Sequence, residues 1–123
     1  MSQKEHFFNI DDLSQGINRE LAPGLATRIF VGDQAMLSVL KLEPNAKGQI
    51  HSHPEEQWGV LLEGSGTRLQ GDEEFPVKAG DFWRTPGGIP HGFIAGDEGA
   101  RVIDIFSPPR EEYKKAGSGF AAD

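Results

Sequence analysis

The chain has 123 residues and a mass of 13.4 kDa, with 12 basic against 19 acidic residues, a formal charge of −7, 37% hydrophobic residues and no cysteine. At this size one domain is expected, 1–123, able to bury about 68% of its unfolded surface without a staple. The absence of cysteine excludes disulfides, thiolate catalysis, zinc fingers and iron–sulfur clusters. The acidic balance argues against a nucleic-acid partner. No apolar run approaches the ~18 residues of a membrane span, and residues 1–9 lack the apolar stretch of a secretory signal, so a cytoplasmic protein with no membrane partner is expected.

In chain order, residues 1–9 read as frayed and residues 11–20 as a turn or two of helix. Short stretches rich in Val, Ile, Phe and Trp then follow at 25–31, 35–42, 57–62, 67–70, 74–77, 81–85, 91–95 and 101–106. Turn pairs such as Gly32-Asp33, Gly71-Asp72, Gly87-Gly88 and Gly96-Asp97 punctuate them, and the 16 glycines fit a turn-rich chain. Eight short strands suit an all-β fold, a small barrel or a double-sheet jelly roll. Residues 109–116 carry the marks of a short C-terminal helix: Pro109 near the start, Glu111 and Glu112 early, Lys114 and Lys115 late, Gly117 after the end. Residues 117–123 read as a frayed end. No repeat of 20–50 residues is visible, which excludes propellers and solenoids.

Three of the four histidines form a pattern. His51 and His53 stand two apart, so in extended chain both imidazoles face one side, and Gln57 has the same parity. His91 follows the Pro86-Gly87-Gly88-Ile89-Pro90 turn, which brings a second strand edge toward the same place. His6 has no such pattern around it.

His51-Ser52-His53, three residues, Gln57, six residues and Gly64 follow the first motif of the cupin superfamily; Gly80, five residues, Pro86-Gly87-Gly88, two residues and His91 follow the second. The chain resembles that superfamily over about residues 25–106, with 107–123 as a tail. The resemblance implies a jelly-roll barrel with one divalent metal ion between its sheets, of which Ni, Fe, Zn, Mn and Co all suit the donors. The chain departs from the pattern at three places. Asn45 stands where the first motif opens on glycine, Ala95 where the second ends on asparagine, and Gln57 where the metal glutamate belongs. Only the last changes the chemistry. Three imidazoles and an amide oxygen leave a divalent ion's charge uncompensated, so the site attracts an anion and acts as a strong Lewis acid.

Asp104 interrupts the apolar run Val102-Ile103-Asp104-Ile105-Phe106 and shares a face with Phe106. Either it stands on the wet face of an edge strand, or it is buried and must be paired or poised for proton transfer. Arg110, after Pro108 and Pro109, either starts a helix in solvent or turns back over the barrel mouth to clamp a carboxylate. Arg68 and Arg84 are further carboxylate partners or surface charges. Trp58, Phe82, Trp83 and Phe93 form a sugar-stacking wall or part of the core.

The metal set, Pro90-His91-Gly92 and the run Asp104-Ile105-Phe106-Ser107-Pro108-Pro109-Arg110-Glu111 resemble the KdgF family of pectin and alginate degradation, over about residues 19–115. That resemblance implies ring opening of 4,5-unsaturated uronates to linear 4-deoxy-5-keto-hexuronate. It also implies that His51, His53, Gln57 and His91 hold the metal and that Asp104, Phe106 and Arg110 line the substrate site. The alternatives are a non-catalytic ligand-binding cupin and an iron-dependent dioxygenase. A homodimer is expected, because small cupins commonly pair through sheet edges and the apolar segment Leu25–Val31 needs cover.

Overall fold

The computed structural model describes residues 2–119. It is all β, with strands β1 (Ile17–Ala22), β2 (Leu25–Val31), β3 (Met36–Leu42), β4 (Glu56–Gln70), β5 (Glu73–Lys78), β6 (Phe82–Thr85), β7 (His91–Ser107) and β8 (Gly117–Ser118). The only helical elements among the described residues are 3-10 turns at Lys4–His6 and Glu111–Lys114. No helix is long and apolar enough to cross a membrane.

The strands pair in the order β5-β4-β7-β3-β2-β1-β8, with β6 alongside β4. Every pairing is antiparallel except β1 with β8, where two residues run parallel. This is the expected jelly roll, formed from fewer and longer strands in its middle. Residues 57–62 and 67–70, read as separate stretches, are one strand of 15 residues, and 91–95 with 101–106 lie within one of 17. The glycines between them do not end a strand. They bend it: the β4–β7 register slips between Leu61 and Glu63 and again between Gly64 and Gly66, the mark of β-bulges, which increase twist and carry a strand round a barrel corner. Gly64 sits at φ 85°, where a Cβ would lie 2.0 Å from the Gly99 carbonyl oxygen, so no other residue fits.

Two further differences have local causes. Residues 17–22 are a strand, whereas a helical turn is expected over 11–20. The inward positions of β1 are Arg19 and Leu21, and a buried arginine hides the alternation that marks a strand. Its guanidinium is held by backbone carbonyls, Nε donating to Gly119 O at 2.7 Å. The C-terminal helix shrinks to the 3-10 turn because Tyr113 and Arg110 are drawn into the core, after which Gly117 and Ser118 pair with Arg19 and Glu20. The expected fraying at 117–123 therefore does not apply to those two residues. Residues 120–123 lie outside the described residues.

The inward positions of β3, β4 and β7 form rows across the barrel. Leu40, Val102 and Leu61 make one row; Ser38, Asp104 and Gly59 make the next; Met36, Phe106 and Gln57 make the third. The first belongs to the apolar core with Leu21, Leu25, Ile29 and Leu42. The second and third lead into the polar end of the barrel.

Candidate metal centre

The segment before β4 joins the first strand edge of β7 through an isolated bridge. His51 N donates to His91 O at 3.0 Å and His91 N donates to His51 O at 2.9 Å, so backbone pairing alone sets two imidazoles side by side. His53 follows two residues on. The three ring centroids lie 4.7, 4.8 and 5.7 Å apart, and one donor atom from each ring lies within 4.8 Å of the other two.

Each ring is oriented in the same way. Nδ1 of His51 donates to Gln49 O, that of His53 to Glu55 O and that of His91 to Ile89 O, at 2.9, 3.1 and 2.9 Å. A proton fixed on Nδ1 leaves Nε2 with a lone pair, the tautomer a metal needs. Burial keeps the rings neutral. It lowers His51 to about 4 and His91 to about 3, and it lowers His53 as well, assisted by the Arg110 guanidinium.

Two observations say what these lone pairs face. Nε2 of His91 is buried with no hydrogen-bond partner among the described residues. Nε2 of His53 lies 2.9 Å from Oε1 of Gln57, an acceptor opposite an acceptor once Nδ1 carries the proton. A cation resolves both. Neighbouring ligands at about 2.1 Å from one ion on perpendicular axes lie about 3.0 Å apart. The donor set thus fits a divalent metal, with His51, His53 and His91 as the cluster and Gln57 placed to complete it.

Gln57 also reaches the other way. Its amide donates to the carboxylate of Asp104, which β7 buries opposite Ser38 and Gly59. Asp104 is therefore inside the barrel, on no wet face. Burial raises it to about 6 despite the opposing pull of Arg68, Gln57 and Arg110. Asp104, Phe106, His51, His91 and Gln57 line one cavity of about 40 Å³.

The arginines separate. Arg84 is exposed and pairs with Glu56 at 2.5 Å on the surface. Arg110, read either as a helix start in solvent or as a clamp over the mouth, is 1% exposed and is not among the residues that line the cavity. Its guanidinium lies 4.1 Å from the Tyr113 ring centroid and 5.7 Å from that of Phe106, with Nε 3.9 Å from Glu55 Oε1 and 3.8 Å from Glu112 Oε2. Arg68 is 5% exposed and lines the cavity. Burial lowers it to about 10, with Asp104 opposing. Trp83 and Phe93 stack at 6.0 Å within the barrel, whereas Trp58 and Phe82 point outward, so the four aromatics make no common wall. Tyr113 and Ser38 carried no signal in the sequence that would mark them as site residues. Tyr113 sits in a tail, and Ser38 is one hydroxyl in an apolar strand.

The cupin domain family matches residues 38–106, more than half of the chain. The pectin degradation protein KdgF of Dickeya dadantii (strain 3937) is 28% identical over 96 residues, covering 76% of this chain and 87% of that protein. The oxalate decarboxylase OxdC of Bacillus subtilis (strain 168) is 33% identical over 72 residues, covering 54% of this chain, which spans only 19% of the decarboxylase. Among solved structures, an RmlC-like cupin from Shewanella frigidimarina NCIMB 400 superposes with a TM-score of 0.77 at 26% identity, over 92% of this chain and 99% of that one. With the histidine cluster placed by its own two motifs, the chain belongs to the cupin domain family.

Proposed function

We propose that the chain opens the ring of 4,5-unsaturated uronate monosaccharides, giving linear 4-deoxy-5-keto-hexuronate. The observation that carries this reading is the buried carboxylate of Asp104 in the same cavity as the histidine cluster, joined to it by the Gln57 amide. The similarity to a KdgF protein over most of both chains supports it. The substrate is a cyclic enol ether with an anomeric hydroxyl. Opening breaks the C1–O5 bond, forms the C1 carbonyl as the O1 proton leaves, and turns C5 into a ketone as C4 gains a proton. Nothing is oxidised and no water is consumed. Asp104 is the group placed to deliver the proton at C4 and recover one from O1. Gln57 holds its carboxylate in place, and the apolar lining excludes water from the enol. A divalent ion held by His51, His53, His91 and Gln57 would supply Lewis-acid stabilisation of the charge that develops on oxygen.

Phe106 packs edge-on to His53 at 5.5 Å and presents its other side to Tyr113, so it shapes the cavity between substrate and metal cluster. Arg110 adds positive charge behind it. The test is the loss of the 4,5-double-bond absorbance on adding protein, with and without chelator. Loss that chelation abolishes supports the reading, and unchanged absorbance with fully loaded protein refutes it.

The cavity volume favours one second reading. One water needs about 10–15 Å³, so 40 Å³ is room for about three or four heavy atoms and suits an acid of about two carbons held whole. Turnover of such acids in place of the unsaturated uronate would select it.

We propose also that the chain pairs with a second copy. Within Leu25–Val31, Leu25 and Ile29 are buried and β1 and β3 flank the strand, which leaves only Val31 as an exposed large apolar residue. The better candidate is the outer face of β4, β6 and β7. Trp58, Leu62 and Phe82 are exposed there, and pairs of both signs, Arg84 with Glu56 and Arg101 with Glu63, offer complementary charge to an identical face. Light scattering at micromolar concentration should give the mass of two chains, and a monomer there ends the proposal.

A further inference from the structure

Arg68 projects from the second half of β4, opposite Phe93 of β7, into the barrel interior. Its surroundings fix the plane of the guanidinium. Trp83 lies under it, ring centroid 5.4 Å from Cζ; Nη2 donates to Thr85 Oγ1 at 2.7 Å; and Nε reaches Gln70 Oε1 at 3.4 Å. Thr85 in turn donates to Gln70 Oε1 at 2.7 Å, and Gln70 Nε2 to Arg84 O at 2.9 Å, so the partners are themselves held. All of them are neutral. Among the described residues no carboxylate lies within 4.0 Å of this guanidinium, although Asp104 is near enough to feel its charge.

A buried guanidinium costs a great deal to desolvate and is ordinarily repaid by an anion. Here Nη1 takes no hydrogen bond among the described residues, and the side chain lines the cavity beside His91 and Asp104. The cavity's 40 Å³ is room for a carboxylate group and little of a sugar ring. We infer that Arg68 is the residue that binds the substrate's carboxylate, with the acid group entering the barrel first. The inference rests on the uronate reading for the identity of the acid but not for the presence of an anion subsite. It also explains the geometry that reading needs. With the carboxylate on Arg68, the neighbouring C5 and C4 stand next to Asp104. Arg110 lies over the rings of Phe106 and Tyr113 and does not line this cavity.

The test is binding to the zinc-loaded full chain, read by calorimetry and by the Arg68 Nε–H resonance. The probes are unsaturated galacturonate, its neutral methyl ester, and acetate. In the parent the two acids should bind and move the Arg68 resonance, while the ester binds more weakly by roughly 10–100-fold, the range for a charge-assisted hydrogen bond at a desolvated site. Arg68→Met should bring acid and ester to equal affinity with zinc content unchanged, and Arg68→Lys should recover part of the preference. Acid preference surviving in Arg68→Met, an unmoved Arg68 resonance, or a parent that binds neither acid overturns the assignment. If acetate binds through Arg68 and the uronate does not, the anion subsite stands and the uronate reading falls.

Discussion

The two ends of the barrel interior are built from the same three strands and differ in what fills consecutive inward rows. At one end Leu40, Val102 and Leu61 meet in an apolar row backed by Leu25 and Leu42. Two residues further along each strand the row is Ser38, Asp104 and Gly59. Beyond it lie Gln57, the histidines and Arg68, nearly all buried. Each polar group in that second region costs free energy that the apolar end must offset. The cost is limited by mutual satisfaction: imidazole to backbone carbonyl, amide to carboxylate, guanidinium to hydroxyl. One end holds the fold together, and the other is held together by it.

That division can be broken at its most polar point. His91→Ala removes a buried ligand whose backbone also pairs with His51, and His51→Ala removes its neighbour; each should lose bound metal entirely and, with it, ring opening, as read by elemental analysis and the absorbance assay. Next comes Asp104→Asn. It keeps shape and can still accept from Gln57 but cannot move a proton, so turnover should fall about 10²–10⁴-fold with metal content and unfolding midpoint close to the parent's. Near-parental turnover would place the proton transfer on another group, with Glu55 beside His53 the next carboxylate to test.

At the apolar end the expected outcome is the reverse. Leu61 is fully buried, and Leu61→Ala should cost about 2–5 kcal/mol of stability in denaturant unfolding, leaving the metal stoichiometry of the folded fraction unchanged. A loss of metal without a loss of stability would mean that the two ends are not separable. The smallest effect belongs to neither. Arg84→Ala deletes an exposed pair with Glu56, worth about 0–1 kcal/mol, and should change neither turnover nor stability measurably. An effect on substrate affinity there would move the carboxylate partner from Arg68 to the surface.

Much of the metal end was legible in the chain order of residues. The His51, His53, Gln57 and His91 spacing is local on each side of one turn, and the turn is written in Pro86-Gly87-Gly88. Asp104 stood out as a single carboxylate in the apolar run 102–106, while the run left open whether it faced inward. Alternation likewise carried β2, β3, β5 and β6 to within a residue or two of their bounds. What the order of residues left open lies beyond the bulges. Parity counted from Gln57 is reset at Leu61–Glu63 and at Gly64–Gly66, so whether Arg68 faces inward depends on its pairing with Phe93, a residue 25 positions away. Arg19 and Arg110 meet the same kind of distant partner, the carbonyl of Gly119 and the carboxylate of Glu55. Periodicity and motif spacing act between near neighbours and can be counted along the chain. Burial of a charged side chain is decided by which strands arrive on either side of it, and in this barrel only the closed sheet brings them there.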